Sequence, residues 1–199
     1  MSAQTFLPLL MFAIVSTFTP GAATTLATAS GAHFGFRRSI PAMAGAATGL
    51  ATVVGASAIG LASVLIAMPS LQLAMKALGS LYLVWLAVRI GRSGPPHLDA
   101  RLVRPGSFVG GAWLLWHNPK GWTMALGAAA SFAALAQGPV HLALLLGLTF
   151  GLCAATSLVL WCMAGQALAR MLKSRLQWRL LNIALGLLLV LSIIPMWKE

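Results

Sequence analysis

Two stretches of the chain, Thr19-Pro20-Gly21 and Asn118-Pro119-Lys120-Gly121, place a proline, a glycine and hydrogen-bonding side chains inside otherwise apolar segments. A proline within a helix removes one backbone donor and frees a carbonyl about a turn earlier. Hydrocarbon offers no replacement partner, so such a break is costly unless it lines a cavity. A simple kink is the plain alternative for either break alone. Two breaks in matching positions favour a shared cavity, in which exposed helix ends meet a polar solute.

Lys120 is the sharpest single residue. It stands roughly 20 Å from the start of its helix, too deep for easy snorkelling. A lysine at that depth costs on the order of 3 kcal/mol and needs a partner. A substrate carboxylate explains why the cation is kept. Backbone carbonyls, water, or an interface reached by a displaced helix are the alternatives. Beside it, Asn118 can both donate to and accept from an amino acid, and His117 can titrate near neutral pH and so shuttle a proton. For His117 the ordinary alternative is a hydrogen-bonded packing residue. An intramembrane enzyme needs paired aspartates or a zinc-binding His-Glu-x-x-His, and neither is present; Ser30 has only the remote His117 as a partner. The cysteine and histidine spacing provides no metal site, and nothing points to a cofactor.

The elements that must position these residues follow from composition. Of 199 residues, 59% are hydrophobic and 8% charged, which excludes a soluble domain of this size. Six apolar spans are expected: Thr5–Ala29, Ile40–Met68, Ser70–Ile90, Ser107–Ala134, Val140–Ala164 and Leu180–Trp197. The first has no basic residues before it and is too long for a signal-peptide core, so it reads as a mature span. The fold expected is an all-α polytopic membrane protein with six transmembrane helices.

Charge placement supports that count. The net charge of +11 comes from 13 Lys and Arg against Asp99 and Glu199. Arg37 and Arg38 fall on the first connection, Arg89, Arg92, Arg101 and Arg104 on the third and its flanks, and Arg170, Lys173, Arg175 and Arg179 on the fifth. The second and fourth connections, Met68-Pro69-Ser70 and Ala136-Gln137-Gly138-Pro139, have none and read as tight external turns. Alternate connections share a side, and the basic one is cytoplasmic, so both termini face outward. Basic residues scattered over short loops also argue against nucleic-acid binding, which gathers them on one face.

The chain reads as one transmembrane domain, 1–199, in which a cytoplasmic linker, 92–106, separates halves of about 1–91 and 107–199. Three spans per half give any repeat between them opposite orientations, the architecture of many secondary transporters. Three correspondences mark it: Pro20 with Pro119, the Gly-x-x-x-Gly pairs Gly45/Gly49 and Gly147/Gly151, and Leu78-Gly79 with Leu185-Gly186. Their offsets drift slowly, through 99, 102 and 107 residues. Gly45, Gly49, Gly147 and Gly151 read as helix-packing positions, as does the stripe Gly45, Gly49, Val53, Ala56, Gly60. Cys153 and Cys162, nine positions apart on one helix, face opposite sides and cannot bridge each other. Lys76 reads as a snorkelling anchor. His33, His97 and His141 read as solvated residues near the faces. Trp178 and Trp197 fit interfacial belts, and Trp113, Trp116, Trp122 and Trp161 pack or line a cavity.

Several stretches resemble the lysine-exporter (LysE/RhtB) superfamily, in its homoserine/threonine-efflux branch, almost end to end. They are Thr19-Pro20-Gly21, residues 29–38, residues 78–86, Phe108 with Asn118-Pro119-Lys120, and residues 181–189. The resemblance implies a six-helix exporter of small amino acids or derivatives in the bacterial inner membrane, working by proton antiport and able to form a homodimer. Members usually follow the first Pro-Gly with Pro and then Asp or Asn. Here Ala22 and Ala23 stand there, so the acidic or polar group expected at the first break is missing. The expected binding residues are thus Thr19, Pro20, Gly21, Asn118, Pro119 and Lys120, with a small amino acid as partner solute. A passive channel for small neutral solutes and a non-transporting scaffold are the competing functions.

Overall fold

A computed structural model describes residues 3–60, 67–92 and 106–197, and every regular element among them is helical. The linker 93–105, with His97, Asp99, Arg101 and Arg104, lies outside the described residues, as do the far part of the second expected span and the side chain of Lys76.

The first expected span is two helices, α1 (Ala3–Phe18) and α2 (Ala22–Phe34), bent by 57° at the break. Pro20 has no N–H to continue α1. Gly21 then caps α2: its N–H donates to Thr24 Oγ1 at 2.8 Å, and the Thr24 hydroxyl donates back to the Gly21 carbonyl at 3.0 Å. A single residue, Gly35 with φ 77°, separates α2 from α3 (Phe36–Ala58). Glycine reaches that conformation without a Cβ clash, so one residue makes the turn between the helices. Arg37 and Arg38 therefore stand in the first turn of α3, exposed, rather than in a loop as expected from composition.

Helix α4 (Pro69–Gly91) starts on a proline, as a first turn tolerates. The fourth expected span is again divided, into α5 (Phe108–Trp116) and α6 (Pro119–Ser131). The fifth is α7 (Pro139–Met171), which runs past its expected end at Ala164. The sixth, α8, starts early at Arg175, capped by Ser174 and Gln177, and ends at Leu191 before a short turn over Ile194–Trp197. The basic residues Arg170, Arg175 and Arg179 are thus helical, where a loop was expected.

Among the described residues, α3 and α7 are each long and apolar enough to cross a membrane, and the bent α1–α2 pair makes a third candidate if it is taken as one broken span. Neither α5, with 9 residues, nor α6, with 13, suffices alone, because the Asn118-Pro119 break divides what composition presents as one run. On α7, Leu144, Leu148 and Leu152 each leave more than half of their surface exposed. At four-residue spacing they form an apolar outward stripe, which suits hydrocarbon and not water.

Helices α3 and α7 cross at the centre; α2 packs on α7, α5 on α3, and α4 on α8. The broken helix of each half thus lies against the second helix of the other half. Two crossings are especially close. A Cβ added to Gly31 or Gly165 would overlap the Cys162 or Thr28 carbonyl across the α2–α7 contact. One on Gly45 or Gly111 would likewise overlap the Phe108 or Ala42 carbonyl between α3 and α5. Gly49 faces Ala112 on α5, whereas Gly147 and Gly151 face Ala51 on α3. All four glycines expected at packing positions therefore sit at helix crossings, yet the close α2–α7 contact is made by Gly31 and Gly165.

Candidate functional site

The two breaks meet. Asn118 caps α6: its Oδ1 accepts from the Lys120 N–H at 3.1 Å and its carbonyl accepts from the Gly121 N–H at 2.9 Å. Asn118 is 7% exposed, so half of its amide is committed to this turn rather than free for a solute. Pro119 occupies the first helical position, where its missing N–H costs nothing. The Lys120 side chain then reaches back across the break and donates from Nζ to the Thr19 carbonyl at 3.0 Å. It lies along Gly21, where an added Cβ would stand 3.3 Å from Nζ. The sequence favoured a substrate carboxylate as partner of this amine; in the structure its partner is a carbonyl freed by the opposite break. An ammonium has three N–H donors, so this contact occupies one of them.

Two carbonyls left open at the end of α1 accept from another helix. Ser157 on α7 donates to the Thr17 carbonyl at 2.9 Å, and Trp161 Nε1 lies 3.4 Å from the Phe18 carbonyl. At the second break, Trp122 Nε1 donates to the Trp116 carbonyl at 2.8 Å and the Asn118 N–H to the Leu115 carbonyl at 3.3 Å. Ser157 is fully buried and was not singled out from the sequence. One signal was available: Ser157 and Trp161 are an i, i+4 pair and so share one helix face.

Between the breaks lies a cavity of about 50 Å³, lined among others by Thr17, Thr19, Gly21, Asn118 and Lys120. Ala46 and Leu50 on α3 form its floor. They lie about 15–20 Å from the Phe36 end of that helix, near mid-height. A vestibule of about 520 Å³ adjoins it, sharing Ala23, Ala46 and Leu158. It lies between α2, α3, α4 and α5, at the end of the bundle that carries Arg37, Arg38, Arg89 and Arg92. Leu26, Met43, Leu86 and Leu114 make much of its wall apolar, and Ser30, His33, Tyr82 and Arg89 add polar groups. The Arg89 guanidinium sits 5.1 Å above the Trp85 ring, which stacks with Tyr82 at 5.9 Å. On the far side of the breaks, Phe12 packs against Phe132 and Phe150 at 5.9 and 6.0 Å.

His33 belongs to the vestibule wall and not to a solvated loop. Its Nε2 is 2.8 Å from Oδ1 of the fully buried Asn182 on α8, and its ring packs 5.4 Å from Trp178. Trp178 is itself buried, not interfacial, because α8 begins before it and turns it onto α2. His117 lines neither cavity. It ends α5, stacks on Trp113 at 3.8 Å and bonds through Nδ1 to the Trp113 carbonyl at 3.0 Å. Its place is that of a packing residue. Pro20 is exposed and acts through the break it makes. Cys153 and Cys162 are both buried and free, as their spacing required.

A cavity at mid-height, one ammonium, two helix breaks and a wide vestibule on one side make an arrangement that can hold a small solute. A sequence model of the LysE type translocator family matches residues 14–192 of the chain. Neither the curated proteins nor the solved structures include a match.

Proposed function

The chain belongs to the LysE type translocator family, and from that premise we propose that it exports small amino acids or their derivatives across the bacterial inner membrane by alternating access, driven by proton antiport. The observation that carries the proposal is the contact between Lys120 Nζ and the Thr19 carbonyl, 101 positions apart in the chain, inside a mid-height cavity. In the proposed cycle a substrate carboxylate takes the place of that carbonyl beside Lys120. Ala22, Ala23 and Thr24, the first residues of α2, line the same cavity, and the first amides of a helix have no acceptor within it. Exchange of the Thr19 contact for a substrate contact loosens one break from the other, which is the differential interaction a conformational change requires.

The proposed frame has six crossings, two inverted repeats joined by the linker 92–106, and both termini outside. The packing supports it, since exchange of the halves maps α3–α7 and α4–α8 onto themselves and α1–α2 on α7 onto α5–α6 on α3. The vestibule at the arginine-bearing end supports an inward-facing form. His117 stands apart from this path and has no proposed part in coupling.

The test is transport. Purified protein in liposomes with an imposed proton gradient is expected to move at least one member of a broad panel of amino acids and their derivatives. Lys120→Gln is expected to remove that flux without reducing the amount of folded protein. No flux across the panel from folded protein overturns the proposal, and flux insensitive to a collapsed gradient, without counterflow, favours a channel.

A further inference from the structure

An ammonium has three N–H groups to satisfy and is costly to hold away from water without acceptors. The chain has two acidic residues, Asp99 and Glu199; both stand outside the apolar segments and outside the described residues. The described lining of the two cavities contains no carboxylate. At the breaks the Thr17, Phe18 and Trp116 carbonyls accept from Ser157, Trp161 and Trp122, and the Thr19 carbonyl, released when a carboxylate takes its place at Lys120, is a neutral oxygen. The hydroxyls of Thr17 and Thr19 donate to carbonyls of their own helix, which leaves only neutral oxygens facing a full charge. Among the described residues the site therefore has a counter-charge for a carboxylate, in Lys120, and none for an amine.

The two volumes point the same way. About 50 Å³ beside Lys120 admits a few water molecules, which is room for a carboxylate group and not for a whole amino acid. About 520 Å³ of vestibule, with Leu26, Met43, Leu86 and Leu114 on its apolar wall and Ser30, His33, Tyr82 and Arg89 as its polar groups, is left for the rest of the solute. We propose that this site takes a monoanionic carboxylate with an apolar remainder and no free ammonium, such as an N-acylated apolar amino acid. Its carboxylate lies at Lys120 and its remainder lies in the vestibule. Ala23, which lines both spaces, stands at the passage between the two parts. This substrate class rests on the transport proposal and refines it.

The experiment uses the full chain in liposomes loaded separately with N-acetyl-leucine, leucine or lysine at equal concentration. N-acetyl-leucine is expected to leave at least about tenfold faster than leucine, with lysine no faster than from protein-free liposomes. Leucine or lysine leaving as fast as N-acetyl-leucine overturns the substrate class while export itself stands. No flux of these three or of the wider panel overturns both. Ala23→Asp places a carboxylate on the path, and it is expected to raise the leucine to N-acetyl-leucine ratio by about tenfold or more. An unchanged ratio in folded variant protein overturns the class independently of the first comparison.

Discussion

The Lys120 ammonium donates to the Thr19 carbonyl at 3.0 Å, so the cation of the second helix break is held by the carbonyl that the first break sets free. Each break supplies what the other lacks. The pairing explains how a lysine is kept near mid-height without an acidic partner, and it marks the contact whose loss is expected to matter most.

Lys120→Gln is expected to lower transport by about tenfold or more, equivalent to about 1.4 kcal/mol of lost interaction. Lys120→Arg is expected to be impaired as well, since a planar guanidinium is not a substitute for a compact ammonium beside Gly21. Thermal unfolding in detergent is expected to change little for Lys120→Gln, because a half-buried charge is removed together with its cost. A large loss of stability with transport per folded molecule intact assigns Lys120 a structural role instead.

Ser157→Ala leaves the Thr17 carbonyl without its donor inside the bundle. The expected cost is about 1–3 kcal/mol, read as a lower unfolding midpoint. Thr156→Ala is the control, since its exposed hydroxyl bonds only within its own helix, to the Leu152 carbonyl. Equal effects of the two substitutions count against the role given to Ser157.

Gly31→Ala and Gly45→Ala each push a methyl group into a carbonyl across a helix crossing. Overpacking of this kind costs about 1–3 kcal/mol, and more where backbone must move. Gly91→Ala, with nothing near the added atom, is expected to leave stability unchanged or slightly improved. Size-exclusion profiles and unfolding midpoints of the three variants distinguish them.

His33 and Asn182 join α2 to α8 through one hydrogen bond at 2.8 Å. A double-mutant cycle with His33→Ala and Asn182→Ala is expected to give a coupling energy of about 1 kcal/mol, measured by unfolding. Additive effects dissolve the link.

His117→Asn is expected to keep transport, and its dependence on the proton gradient, within about twofold of the original. The ring stacks on Trp113 and lines neither cavity. A variant that carries solute but no longer responds to the gradient returns His117 to the coupling path.

Composition and spacing alone determined the membrane class, the helical fold, both breaks and the outlying Lys120. These are local facts: an apolar run has nowhere else to go, a proline breaks its own helix, and an intramembrane cation is conspicuous by type. Gly45, Gly49, Gly147 and Gly151 were legible for the same reason, as small residues at helical spacing. Which crossing each serves was not legible. Matching the halves pairs Gly147 with Gly45, whereas the close α2–α7 contact uses Gly31 and Gly165, since the crossing point depends on how whole helices lean and not on any one residue. The loops drawn from charge were also too long: Arg37 and Arg38 are helical because a single glycine at 35 makes the turn.

Tertiary structure decided the partners. Ser157 has no feature as a residue type, and it acquires a role only because α7 passes beside the end of α1, where a carbonyl has lost its N–H. His33 looked like a loop residue until α2 was seen to extend to Phe34 and α8 to begin at Arg175, which brings Asn182 to it. Thr19 and Lys120 are both visible in the chain, but nothing in the chain says that one will accept from the other. A hydrogen bond needs two groups about 3 Å apart, and over 101 positions that distance is set by helix packing, which the local pattern of residues does not encode.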